Sequence, residues 1–319
     1  MGVGVTYPRA DPADVGRLPA DTWGTASLPV GVRLEISGDA TQLDLGYRTV
    51  TEDLGYRGGG AGTTFTVWRG GQQVDEQAAV LGDGHVRLRL VAEGAAGADG
   101  DRAIVYLPEG MKPSITSIRS VDGTVEPAPH QPRWLAYGDS IVEGWIASGP
   151  AGAWPAMAGR TYGLDVINLG YAGSARGEVV SAENVASLAA DVISISHGTN
   201  CWTRIAHSAL QMSANLAAFL NIVRAGHPGV PIVVASPVVR PDAENTPNKL
   251  GATLADLRAA METTTQRFID DGDNLITLVP GGDVLAPSLL ADGVHPGDDG
   301  HAVLANVFGS AVAAALQRR

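Results

Sequence analysis

Cysteine is nearly absent from this 319-residue chain: Cys201 stands alone. No internal disulfide can form, and a Cys/His zinc cluster is not expected. Lysine is confined to positions 112 and 249, so the cationic side chains are otherwise arginine. Even these are outnumbered, because 34 Asp and Glu against 22 Lys and Arg give a formal net charge of −12. A surface of that sign repels phosphate backbones and anionic lipid headgroups, so neither nucleic acid nor a membrane is an expected partner. No apolar run reaches the roughly 18 residues a membrane span requires. The opening MGVGVTYPRADPADVG has neither a basic n-region nor an apolar h-region, and a cytoplasmic location is the expectation. Gly2 and Thr6 fit the loose myristoylation pattern, a short match that arises readily by chance.

What the chain does have is apolar residues, 45% of the total, and enough length for two ordinary domains. Its texture changes near residue 130. Before that point VRLEISG, TQLDLGYRTV, TTFTVWRGGQQV, HVRLRLVA and RAIVYLP are short runs with partial alternation, separated by the turns YRGGGAG, LGDG and EGAAGADGD. They predict an antiparallel β-sandwich without helices over 1–130. VEPAPHQPR (125–133) reads as a stiff linker. From 131 to 319, strand-like runs at 134–138, 164–170, 191–196, 230–237 and 274–280 alternate with helix-like segments at about 150–161, 178–190, 207–226, 251–271 and 299–316. These strands are almost continuously apolar, as expected when helices cover both faces of a parallel sheet. Val303, Leu304, Val307, Phe308, Ala311, Val312, Ala315 and Leu316 make one apolar stripe on the last helix.

In such a sheet, ligands bind beyond the carboxyl ends of the strands. Five stretches fall there: Gly138-Asp139-Ser140, NLGYAGSARGE (168–178), SHGTNCW (196–202), SPVVRP (236–241) and DGVHPGDDGH (292–301). Acyl transfer through serine needs a hydroxyl, a base, a group that orients the base, and donors for the oxyanion. Ser140 can supply the hydroxyl, His295 the base and Asp292 the orienting carboxylate. The N–H groups of Ser140 and Gly173 and the amide of Asn200 are candidate donors, with Gly170 as the alternative to Gly173. No metal or organic cofactor is required.

GDS at 138–140, the glycine block around Gly173, GTN at 198–200 and DGVH at 292–295 follow one another in an order that resembles the SGNH, or GDSL-type, hydrolase family. The resemblance covers residues 134 to about 316. It implies a flavodoxin-like three-layer α/β domain with a parallel five-stranded sheet. The whole pattern is similar to a subgroup with an N-terminal, jelly-roll-like β-sandwich, which includes carbohydrate esterases and a GDSL acyltransferase of antibiotic biosynthesis. By that resemblance alone the sandwich is carbohydrate-binding-module-like, and it either binds glycans or only walls the active site. The expected substrate is a small-molecule ester or an acylated glycoside, with transfer to a hydroxyl and non-catalytic glycan binding as the alternatives. This chain departs from the family where Cys201 follows Asn200 and where His197 precedes Gly198.

Each residue also has a plainer reading. Asp139 caps or braces its loop. Asp298/His301 repeats the spacing of Asp292/His295, but His301 opens a helix whereas His295 sits in a loop free to reach across the rim; the family pattern favours the latter. His85, His207 and His227 read as surface residues, and Cys201 as packing. Trp145, Trp154 and Trp202 flank the site blocks, and one of them is expected to touch substrate; Trp145 and Trp202 are the candidates carried forward. His197 either meets substrate or satisfies a buried hydrogen bond. Arg240 either meets a substrate carboxylate or sits on the surface.

Overall fold

The computed structural model describes residues 7–52, 62–92 and 102–318, and every count below refers to these. Gly2, Thr6 and most of the glycine-rich turns at 56–62 and 93–101 lie outside them. Packing separates two units. The first contains Leu28–Gln131 and Ser148–Ala151, the second Arg9–Ser27, Pro132–Ala147 and Gly152–Arg319.

In the first unit, strands β1 (Arg33–Ser37), β2 (Gln42–Thr49), β3 (Thr64–Arg69), β4 (Gln72–Ala78), β5 (Gly82–Arg89), β6 (Ala103–Tyr106), β7 (Ser114–Ser120) and β8 (Glu126–Pro127) form two antiparallel sheets. Their orders are β4-β3-β6-β1-β8 and β5-β2-β7. Alternation sets the faces. In β5, Asp83, His85, Arg87 and Arg89 are exposed while Leu88 between the last two is buried. The inward residues Leu43, Leu45, Tyr47, Phe65, Val67, Leu88 and Val105 share one core drawn from both sheets. Part of the expected linker is a strand instead, since Glu126 and Pro127 pair antiparallel with Ser37 and Ile36. Proline is tolerated there because β8 is an edge strand.

The second unit is a three-layer α/β domain. Its strands β9 (Arg133–Gly138), β10 (Asp165–Gly170), β11 (Val192–Ser196), β12 (Ile232–Ala235) and β13 (Ile276–Val279) pair in parallel in the order β10-β9-β11-β12-β13. The helices are α1 (Ala20–Ala26), α2 (Ser140–Glu143), α3 (Trp154–Tyr162), α4 (Val179–Ser187), α5 (Thr199–Thr203), α6 (Ala209–Gly226), α7 (Leu254–Asp270) and α8 (Asp298–Leu316). Alternate residues of one strand serve two cores. Leu135 and Tyr137 of β9 join Val185 of α4, Phe219 of α6 and Leu257 of α7. Trp134 and Ala136 join Ala158 of α3 and Leu304, Phe308 and Val312 of α8. That double burial is why the strand reads as unbroken apolar sequence. Side-chain boxes start two helices: Ser208 with Gln211 caps α6, and Thr253 with Asp256 caps α7. Helix α8 is long and apolar enough on average to cross a bilayer. Its buried stripe instead packs on the sheet, as a core helix does.

The expected domain boundary at 130/131 needs correction at the N-terminus, because residues 9–27 pack with the second unit. Ala10, Leu18 and Ala26 enter the same core as Leu135 and Tyr137. The Arg9 guanidinium donates to the carbonyls of Asn168 and Gly170 at the end of β10. Helix α1 lies in this segment and contradicts the expectation of a helix-free start; its seven residues include Gly24 and are too few to show a period. His227, expected at the surface, is buried beyond α6, with its Nε2 against the Val185 carbonyl at 2.9 Å.

Trp134 is fully buried, packs on Trp154 with ring centroids 5.5 Å apart, and donates from Nε1 to Ser194 Oγ at 2.9 Å. Trp134→Ala removes that packing and leaves the Ser194 hydroxyl without its donor. The expected cost is about 3–5 kcal/mol in urea unfolding.

Candidate active site

Ser140 opens α2 directly beyond the end of β9, with the Asp139 side chain capping the helix by accepting from the Ile141 N–H at 3.1 Å. Parallel pairing sets Gly138 opposite Gly170 on one side and Ser196 on the other, so the segments after β9, β10 and β11 emerge together. Gly170 is required by close approach: a Cβ there would stand 2.3 Å from the Glu143 backbone nitrogen.

The loop after β13 supplies the imidazole. It folds back on itself through the Ala291 N–H to His295 carbonyl bond at 2.8 Å, and Gly297 N–H donates to Leu289 at 3.0 Å. Asp292 Oδ1 accepts from the backbone N–H groups of Val294 and His295 at 2.9 and 2.7 Å. Its Oδ2 lies 2.7 Å from His295 Nδ1. Burial acts to raise the Asp292 carboxyl, but the bonds from the His295 ring and the two backbone donors outweigh it and hold the group below the ordinary carboxylate range. An ionised Asp292 only accepts, so Nδ1 carries the ring proton and Nε2 is the acceptor. Ser140 Oγ stands 2.8 Å from that Nε2 and donates to it. Trp145 packs against the His295 ring at a centroid distance of 5.5 Å. The next residue, Ile146, has φ of +67°, a strained conformation for a β-branched side chain.

Among the described residues, the Ser140 and Gly173 N–H groups donate no hydrogen bond. Gly173 has φ of +70°, which its lack of a Cβ permits. The buried amide of Asn200, in α5, makes one long bond to the Ala175 carbonyl at 3.4 Å. The backbone leading to Gly173 is braced from beneath. Ala172 N–H donates to Glu143 Oε2 at 2.6 Å, and Arg9 Nη2 lies 3.6 Å from the same oxygen, both side chains being buried. Sequence reading did not find this brace, because Arg9 is remote in the chain and Glu143 looks like an ordinary helix residue.

Other candidates resolve differently. His301 is fully buried: its Nδ1 accepts from the Trp154 N–H at 3.3 Å and its Nε2 faces the Trp145 carbonyl at 3.0 Å. It ties down the backbone of the tryptophan that flanks His295 and does not meet Ser140. Trp154 is core, against Trp134 and Phe308. Trp202 is half-buried, donates from Nε1 to the Thr246 carbonyl at 2.8 Å, and carries the Arg240 guanidinium over its ring at 4.9 Å. Arg240 is engaged within the protein, in a two-pronged bond to Asp242 at 2.8 and 2.9 Å and another to Thr203 Oγ1 at 2.6 Å. Three of its five N–H donors are thus engaged within the protein. Cys201 is fully buried, and burial raises its thiol well above the ordinary range. Burial also raises the Asp139 carboxyl to about 6.

The expectation that His197 meets substrate or satisfies a buried hydrogen bond needs correction. It is 1% exposed, its ring lies against Tyr137 and Phe219, and neither ring nitrogen has a hydrogen-bond partner among the described residues. The side chain turns from the end of β11 into the core. Burial, reinforced by the charge of His207, lowers its pKa to about 4.

Residues 136–303 match the GDSL-like lipase/acylhydrolase family. No curated protein sequence matches the chain significantly. Among solved structures it is similar to a salicylyl-acyltransferase from a tetracycline biosynthetic pathway, with 26% identity and a TM-score of 0.81 over 98% of this chain and 90% of that one. A GDSL-like lipase structure from Bacteroides ovatus superposes with a TM-score of 0.80 at 19% identity, covering 99% of this chain and 94% of that one. A family two carbohydrate esterase from Clostridium thermocellum gives 0.66 at 14% identity, covering 89% and 92%.

A neutral His197 makes the fold sensitive to acid. Between pH 6.5 and about 4 the unfolded chain takes up a proton at this position that the native protein does not, so stability falls as pH falls. His197→Phe keeps a ring there and removes that proton. Its urea midpoint is expected to drop less between pH 6.5 and 4 than that of the wild type.

Proposed function

The chain belongs to the GDSL-like lipase/acylhydrolase family, and on that footing we propose that it cleaves a carboxylic ester through an acyl-Ser140 intermediate. One observation carries the reading: Ser140 Oγ is 2.8 Å from His295 Nε2, and the opposite ring nitrogen is 2.7 Å from Asp292. His295, held by Asp292, takes the serine proton as Oγ attacks the ester carbonyl. The Ser140 and Gly173 N–H groups and the Asn200 amide receive the oxyanion. The protonated imidazole hands its proton to the leaving alcohol. Water, deprotonated by the same ring, then attacks the acyl carbonyl; the bond to Oγ breaks, Ser140 Oγ takes the proton back from the imidazole, and the acid leaves.

Hydrolysis is the first choice because the base is not sealed from water: the His295 side chain keeps 16% exposure and the Asp292 side chain behind it 43%. Transfer to an acceptor hydroxyl is the second reading. It rests on the similarity to the salicylyl-acyltransferase, the neighbour with 26% identity along nearly the whole chain. The two differ only in whether water or a bound alcohol meets the acyl-enzyme.

Turnover of a chromogenic acetyl ester tests the reading. Ser140→Ala is expected to lower kcat by about 10⁴-fold or more. Asn200→Ala is expected to lower it by about 10²–10³, with KM little changed. An added alcohol that diverts most of the acyl group from acid to a new ester indicates the transferase. Equal activity in wild type and Ser140→Ala rules out the acyl-enzyme.

A further inference from the structure

The proposed oxyanion site has a cation beside it that the reaction itself does not need. A Cβ built on Gly173 would stand 3.4 Å from Arg204 Nη2, 3.5 Å from Nε and 3.6 Å from Cζ. The guanidinium therefore lies along the open side of the glycine whose N–H is a candidate oxyanion donor. Two features put it there. Arg204 follows Asn200 by four residues, and its N–H donates to the Asn200 carbonyl at 2.9 Å, so the two side chains leave the same face of one helical turn. The positive φ of Gly173 turns that backbone towards them without a side chain in between.

Arg204 is exposed, and among the described residues its guanidinium forms no hydrogen bond or ion pair. Other arginines of these loops are engaged. Arg176 is paired with Asp21 and Glu178, and Arg240 with Asp242. In a chain of net charge −12, an anionic substrate approaches against the overall field and needs a local cation to hold it. Arginine suits that task, because its planar fork matches a carboxylate or phosphate.

We propose that Arg204 recognises an anionic group, a carboxylate or phosphate, carried by the ester substrate close to the scissile carbonyl, and so sets substrate choice. The proposal rests on the acyl-Ser140 reading. It assigns Arg204 to binding, with no proton or bond transferred to it. The anion can sit on the acyl side or on the alcohol side, and the chemistry of recognition is the same.

Two matched pairs of esters separate these sources. Phenyl hexanoate and the phenyl monoester of adipic acid differ in charge at the end of the acyl chain. 4-Methylphenyl acetate and 4-acetoxybenzoate differ in charge on the leaving group. Within one pair, the wild-type ratio of kcat/KM, charged over neutral, is expected to fall about tenfold in Arg204→Gln, chiefly through KM. Arg204→Lys retains part of the preference. The wild-type preference shrinks in about 1 M salt, where the Debye length is about 3 Å. Because both esters are measured on one preparation, the ratio does not depend on how much of the variant is folded. The pair that responds identifies the side bearing the anion. Ratios unchanged by Arg204→Gln in both pairs overturn the proposal, as does an equal loss on charged and neutral esters, which places Arg204 on the oxyanion instead. Failure of the acyl-Ser140 reading shows separately, as turnover that survives Ser140→Ala. In that event, calorimetric binding of adipate and 4-hydroxybenzoate to the Ser140→Ala protein, with and without Arg204→Gln, decides the matter: weaker binding supports the role and equal binding ends it.

Discussion

The site depends on the parallel pairing of β9 with a strand on each side. That register sets Gly138 between Gly170 and Ser196, so three chain segments leave the sheet at one level and in one direction. An antiparallel neighbour would send its following loop to the opposite edge. With the three exits aligned, Ser140 need only begin the next helix to stand near the loop carrying Gly173 and the turn carrying Asn200. The imidazole comes later in the chain, yet its loop follows β13 in the same parallel sheet and so also emerges at the carboxyl edge.

Alignment alone does not hold a loop still, and buried charge does much of that work here. Glu143 receives the Ala172 N–H and lies beside Arg9, which also donates to the Gly170 carbonyl. One buried acid and one buried base thus grip both ends of the turn from Gly170 to Ala172. Low-dielectric surroundings strengthen such bonds and raise the cost of breaking any one of them. The same principle governs the histidines. His301, bonded at both nitrogens, stabilises the backbone of Trp145, whereas His197, bonded at neither, stays neutral because burial disfavours its charged form.

The layer order, the parallel sheet and the strands at 134–138 and 164–170 were legible because double burial leaves an uninterrupted apolar signature. Helix α8 was legible because its stripe, Val303 to Leu316, repeats over about four turns. Helix α1 was not, since seven residues with a glycine among them carry too little pattern. Nor was the packing of residues 9–27, which follows from where the Arg9 side chain finds its partners. Asp292/His295 and Asp298/His301 share a spacing, and only their surroundings separate a ring facing Ser140 from one locked between two backbone groups.

Local sequence by itself determined the strands of the parallel sheet, its long helices and the candidate reactive groups, because backbone preference and side-chain chemistry belong to single residues and short repeats. Tertiary structure decided which charged and polar groups remain available. Arg240 and Arg204 are equally cationic on paper. Folding brings Thr203, from a separate segment, against the first, whose other bonds go to its near neighbour Asp242, and leaves the second beside Gly173, because contacts between segments depend on distances that no local pattern encodes.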